Sequence, residues 1–123
     1  MTRLLVICEG QTEAEFVRTC LEPHLREHGL AVHPSLLKTR PGKQGGGAVS
    51  VERVAQHIRF EYHHFDCITT LLDLYGFGRA AGRDKQALEA AILEATTRQI
   101  PDLREDRVVP HVQRYEFETL LFS

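Results

Sequence analysis

A repeated switch in hydrophobic period constrains this chain more than any other feature. Arg3 to Cys8 is a short continuous apolar run that stops at Glu9-Gly10, and from there apolar residues recur at helical spacing. A run of that kind suits a strand buried on both faces, and the change of period marks the strand giving way to a helix. Thr12 with Glu15 reads as a capping box opening a helix of roughly Glu13 to His28, with Phe16, Val17, Cys20, Leu21 and Leu25 as its apolar stripe. Pro23 inside that pattern predicts a kink or a split, and Gly29 closes the helix. Ala31 to Thr39 reads as a second strand, and Ser50 caps a helix running to about Tyr62. Asp66 to Leu72 is a β-branched third strand, Asp84 to Ile100 a third helix and Arg107 to Gln113 a fourth strand. The sequence YEFETLLF then starts a further amphipathic helix that stops at Ser123. The alternation predicts an α/β domain, an open, mostly parallel four-stranded sheet with helices on both faces. Residues 1–123 form a single domain in this reading, and an end in the middle of a helix is compatible with a natural truncation or with the front part of a longer protein.

Composition narrows the partners. A chain of 123 residues with 42% hydrophobic and 26% charged residues can bury one core. Its formal charge of -2 argues against broad attraction to nucleic acid, so any such contact has to be local. No apolar run approaches the length that spans a bilayer, and no signal-peptide pattern follows Met1. The expectation is a cytoplasmic protein with no membrane partner. Cys8, Cys20 and Cys67 match no zinc spacing and read as buried thiols.

In open parallel sheets, ligands gather outside the carboxyl ends of the strands. Glu9 is the first residue after the first strand, and Asp73 holds the same position after the third, in TTLLDLYGFG. If those strands are neighbours, the two carboxylates converge and repel unless a cation lies between them. Hard oxygen donors suit Mg2+ or Mn2+. Glu13 and Glu15, in the first helical turn, read as acids that complement the helix dipole, with Glu13 kept as an accessory candidate. After the fourth strand, Glu116 is a candidate further ligand and Glu118 a solvated alternative; helix N-terminal acid is an equally good account of both.

The loop KTRPGKQGGGAVS, residues 38–50, is the most basic and glycine-rich stretch. Lys38, Arg40 and Lys43, with Gly45, Gly46 and Gly47, make a candidate phosphate-binding loop, with a plain connecting loop as the alternative. It is not a Walker A motif, because Lys43 precedes the glycine run. Tyr75 and Phe77 could stack a base or anchor a loop. The seven histidines form no ligand set: His63-His64 falls at the opposite sheet edge, and His111 reads as a core histidine.

EGQTE after the first strand, GKQGGG after the second, LLDLYG after the third and YEFETLLF near the end together resemble the bacterial Toprim-like family known as domain of unknown function 4276. The Glu-Gly start also resembles the Toprim domains of topoisomerases, primases and the overcoming-lysogenization-defect nucleases. In those domains a glutamate after strand one and a D-x-D after strand three bind magnesium for phosphoryl transfer. The resemblance carries those roles to Glu9 and Asp73, while Tyr75 stands where the second aspartate would be. It implies a divalent-metal-dependent phosphodiester hydrolase, a nuclease acting on DNA or RNA, with an ATPase partner in a phage-defence system. The rival expectations are a non-catalytic module that binds an ATPase or nucleic acid, and a small-nucleotide phosphohydrolase. Phe117, Leu120, Leu121 and Phe122 on a truncated helix further predict a homodimer.

Overall fold

The structure is a computed structural model that describes residues 1–37, 49–77 and 84–113. Its centre is a parallel sheet. Strand β1 (Thr2–Cys8) lies between β2 (Leu30–Leu36) and β3 (Cys67–Asp73), giving the order β2-β1-β3-β4. Two short strands, β4 (Val108–Val109) and β5 (Val112–Gln113), both pair parallel to β3. The fold is therefore α/β with a mostly parallel sheet, as the alternation predicts, and it is consistent with a Rossmann-like arrangement.

The central strands are buried on both sides, which is why their sequences do not alternate. Leu5 and Ile7 of β1, with Ile68 and Leu72 of β3, face α3 (Val51–Glu61) and α4 (Lys85–Gln99), which contribute Val54, Ile58, Leu88 and Ile92 to one core. On the opposite face Val6, Cys8 and Val32 pack against Ala14 and Val17. Those two come from α1 (Gln11–Phe16) and the π-helical turn Val17–Leu21 that follows it.

Several local expectations are refined. The first helix starts at Gln11 with extended Gly10 as its N-cap, and no side chain caps it, so Thr12 and Glu15 form no capping box. The turn needed immediately after Glu9 brings the helix start forward. Pro23 lies in the first turn of α2 (Glu22–Arg26), directly after the π-helical turn. Widening the helix there accommodates a residue that has no N–H and whose ring would crowd the carbonyl of Thr19. Gly29, at φ 83°, ends the segment in a conformation that other residues rarely adopt. Pro34 is tolerated in β2 because that strand is at the sheet edge. Strand β2 ends at Leu36, short of Thr39, and β3 extends to Asp73.

Ser50 and Asp84 cap α3 and α4, accepting from the amides of Arg53 (3.2 Å) and Ala87 (2.6 Å). The fourth strand comes in two pieces because Pro110 cannot donate to a ladder. There the Thr70 hydroxyl replaces the main chain, donating to the His111 carbonyl (2.7 Å) and accepting from the His111 amide (2.8 Å). His111 is partly exposed rather than in the core, and of the three thiols only Cys8 is buried, Cys20 being exposed and Cys67 intermediate. Among the described residues no helix is long and apolar enough to cross a membrane.

Candidate metal centre

The carboxyl edge of the sheet collects acid. Because β1 and β3 are hydrogen-bonded neighbours, with Cys8 opposite Leu71, Glu9 and Asp73 leave adjacent strands at nearly the same height. The Asp73 amide donates to Oε2 of Glu9 at 3.3 Å, so the two residues touch directly. Glu13 joins them from the first turn of α1. One carboxylate oxygen from each of Glu9, Glu13 and Asp73 lies within 4.8 Å of the other two.

Each side chain is held there by its backbone context. Helical side chains lean toward the helix N-terminus, so a glutamate one turn into α1 reaches back over the end of β1. Glu13 is buried at 6% exposure, a rare state for a carboxylate, and Glu9 and Asp73 are partly covered. Among the described residues no lysine, arginine or histidine pairs with Glu13. Its negative charge is felt by its neighbour: burial, then the Glu13 carboxylate, push the Cys8 thiol up from 9.0 to about 11.

Glu9 lies in a cradle formed by backbone. The chain after Asp73 makes a tight turn at residues 74–77, and a methyl group at Gly76 would fall 2.3 Å from Oε1 of Glu9. With the Glu9 carboxylate where it lies, position 76 has room only for a residue without a side chain. Phe77, buried at 4%, anchors the turn in the core. Tyr75 is 59% exposed and contributes no carboxylate.

Three carboxylates this close interact unfavourably by roughly 3–4 kcal/mol per pair at an effective dielectric of about 20. A cation between them reverses the sign of that interaction. The donor set is all hard oxygen, and oxygens on opposite sides of a magnesium ion stand about 4.2 Å apart, so the observed spread is close to what such an ion needs. The residues present fit a divalent ion.

Lys38, Arg40, Lys43, Gly45, Gly46 and Gly47 lie outside the described residues, as do Glu116 and Glu118. Two contributors, Glu13 and Gly76, show their part in the site only in the structure. Glu13, an accessory candidate beside its reading as a dipole-complementing acid, stands one helical turn after Glu9, and that spacing is the signal the sequence offers. For Gly76, nothing in the sequence indicates that a carboxylate packs against it.

Comparison with curated proteins and with solved structures returned no match in either case. A family model does match, over residues 8–123, and so takes in Glu9, Glu13, Asp73 and the Gly76 cradle. With all but its first seven residues inside that match, the chain belongs to the family described as Domain of unknown function (DUF4276).

Proposed function

We propose that this chain is a divalent-metal-dependent phosphodiester hydrolase of Toprim type, acting on DNA or RNA. The observation that carries the reading is the meeting of Glu9, Glu13 and Asp73 at the carboxyl edge of β1 and β3. It is supported by the resemblance of the Glu-Gly start and the strand-three aspartate to Toprim domains. In this reading Glu13 supplies the carboxylate that Tyr75 cannot, from α1 instead of from the turn after β3.

Glu9, Glu13 and Asp73 would hold Mg2+ or Mn2+, which when bound supplies positive charge for activating water and for neutralising phosphoryl oxygens. Glu13, buried and tied to α1, fixes the negative field that selects a cation. Asp73 is fixed by the β3 ladder, and Glu9, accepting the Asp73 amide, is oriented by the backbone beneath it. In this reading Glu9 also acts as general acid or base. The broader proposal places this hydrolase beside an ATPase partner in phage defence.

A second reading, a metal-binding or partner-binding module without hydrolysis, draws on the exposed Tyr75 at the position of the second aspartate. Two measurements separate the readings. Calorimetric titration with Mn2+ should give saturable binding that Asp73→Asn weakens strongly; unchanged binding in that variant refutes the site. Metal-dependent cleavage of single- and double-stranded DNA and RNA should disappear in Glu9→Gln with circular dichroism unchanged. Metal binding without cleavage of any substrate would select the non-catalytic module.

A further inference from the structure

The other end of the sheet carries charge of the opposite sign. Arg3 at the start of β1, Asp66 just before β3 and Arg107 just before β4 meet at the amino edge, about 20 Å from Glu9 at strand rise per residue. With His63, His64, Phe65 and Arg104 they line an open pocket of about 560 Å³. That volume falls within the range of small-molecule sites. Three arginines, two histidines and one carboxylate line it, in a chain whose overall charge is -2, and Glu61 pairs with His64 from outside the lining at 3.6 Å.

Two of these arginines are fixed before any ligand arrives. Arg107 donates through Nε to the Asp66 carbonyl (2.9 Å) and through Nη2 to the carbonyls of Tyr62 (3.0 Å) and Phe65 (2.6 Å), with its guanidinium over the Tyr62 ring. Arg3 donates through Nη1 to the His64 carbonyl (2.8 Å) and lies over the Phe65 ring. Both cap carbonyls at the end of the α3 segment, but carbonyls satisfy donors without cancelling a full charge. Among the described residues Nη1 of Arg107, and Nε and Nη2 of Arg3, make no hydrogen bond. The lone carboxylate of the pocket, Asp66, is already engaged by the Arg3 amide at 2.8 Å. Arg104 pairs with Asp106, yet both side chains are about two-thirds exposed, so solvent screens that pair heavily.

We propose that this pocket is a second binding site, for a phosphate group, and independent of the metal centre. Fixed guanidinium forks with unused donors favour a tetrahedral, multiply charged anion over a single carboxylate, and rigid donors lose little entropy when it binds. The group could be inorganic phosphate or the phosphate of a nucleotide.

The test is titration of the metal-free full chain with inorganic phosphate, adenosine monophosphate and adenosine, followed by amide chemical shifts. Phosphate should saturate in the millimolar range or below and move the amides of Phe65, Asp66 and Arg104, while adenosine should not. Tighter binding of the nucleotide identifies it as the source, and equal binding identifies the free ion. Arg104→Glu, which removes no carbonyl cap, should weaken phosphate about tenfold or more with an unchanged melting temperature. Glu9→Gln at the far edge should bind phosphate like the wild type, so loss of hydrolase activity does not bear on this site. Absence of saturable phosphate binding, or binding unaffected by Arg104→Glu, overturns the proposal and leaves the arginines as structural caps.

Discussion

Replacing Gly76 by alanine separates the metal centre from the fold that carries it. The added carbon falls 2.3 Å from Oε1, 2.8 Å from Cδ and 2.9 Å from Oε2 of Glu9, where ordinary contact begins at 3.4 Å. The carboxylate must retreat by about 1 Å to restore contact distance. Metal–oxygen distances hold to about 0.2 Å, so that displacement removes Glu9 from any shared ion and should weaken binding about 10- to 100-fold. The fold has little to lose. The atoms displaced are the far end of a flexible side chain, and Gly76 does not occupy the positive φ region found at Gly29. Losing the Asp73 amide to Glu9 bond costs about 0.5–1.5 kcal/mol, and the reduced entropy of the unfolded chain returns about 0.4–1 kcal/mol. Gly76→Ala should therefore melt within a few degrees of the wild type in EDTA while its calorimetric Mn2+ affinity falls at least tenfold. Wild-type Mn2+ affinity in a folded Gly76→Ala protein would refute the cradle argument, and so would collapse of the fold.

Other outcomes follow from the packing. In metal-free protein Cys20 should be alkylated well before Cys8, whose thiol is buried and shifted up to about 11; mass spectrometry showing equal rates would contradict this. Because that folded value lies above the ordinary 9.0, the Cys8 contribution to stability is complete below pH 9.0 and is lost as pH rises toward about 11. Urea denaturation should show that loss in the wild type and a smaller one in Cys8→Ala. Glu89→Ala removes an acceptor for the Val112 amide (2.9 Å) and the partner of Lys85, and should cost about 1–3 kcal/mol by denaturant unfolding, with the amides of β5 losing exchange protection first. Leu72→Ala empties a fully buried position between β3 and the α3–α4 layer and should cost about 2–5 kcal/mol; a cost below 1 kcal/mol would contradict the packing.

Much of this molecule was legible in its sequence because the deciding signals are local. The unbroken apolar run at Leu4–Cys8 and the β-branched run at Ile68–Leu72 specify strands, and Ser50 and Asp84 cap the helices that follow because short polar side chains reach free amides two or three residues ahead. Glu9 and Asp73 could be paired in advance because parallel strands joined by right-handed crossovers leave their carboxyl ends together. What stayed hidden depends on contacts between distant residues. At the split of the last strand, beside Pro110, the His111 main chain pairs with the Thr70 hydroxyl across the sheet, and the cationic pocket exists only because Arg3, Arg104 and Arg107 are gathered around the end of the α3 segment. Glu13 reads locally as one more acid at a helix start, and Gly76 as one more turn residue. Their roles arise where the start of α1 and the turn after β3 close over the same carboxylate. Sequence period determines which segments are strands and helices because each residue responds to its nearest neighbours, whereas the tertiary structure alone decides which side chains, far apart in the chain, share a few ångströms of space.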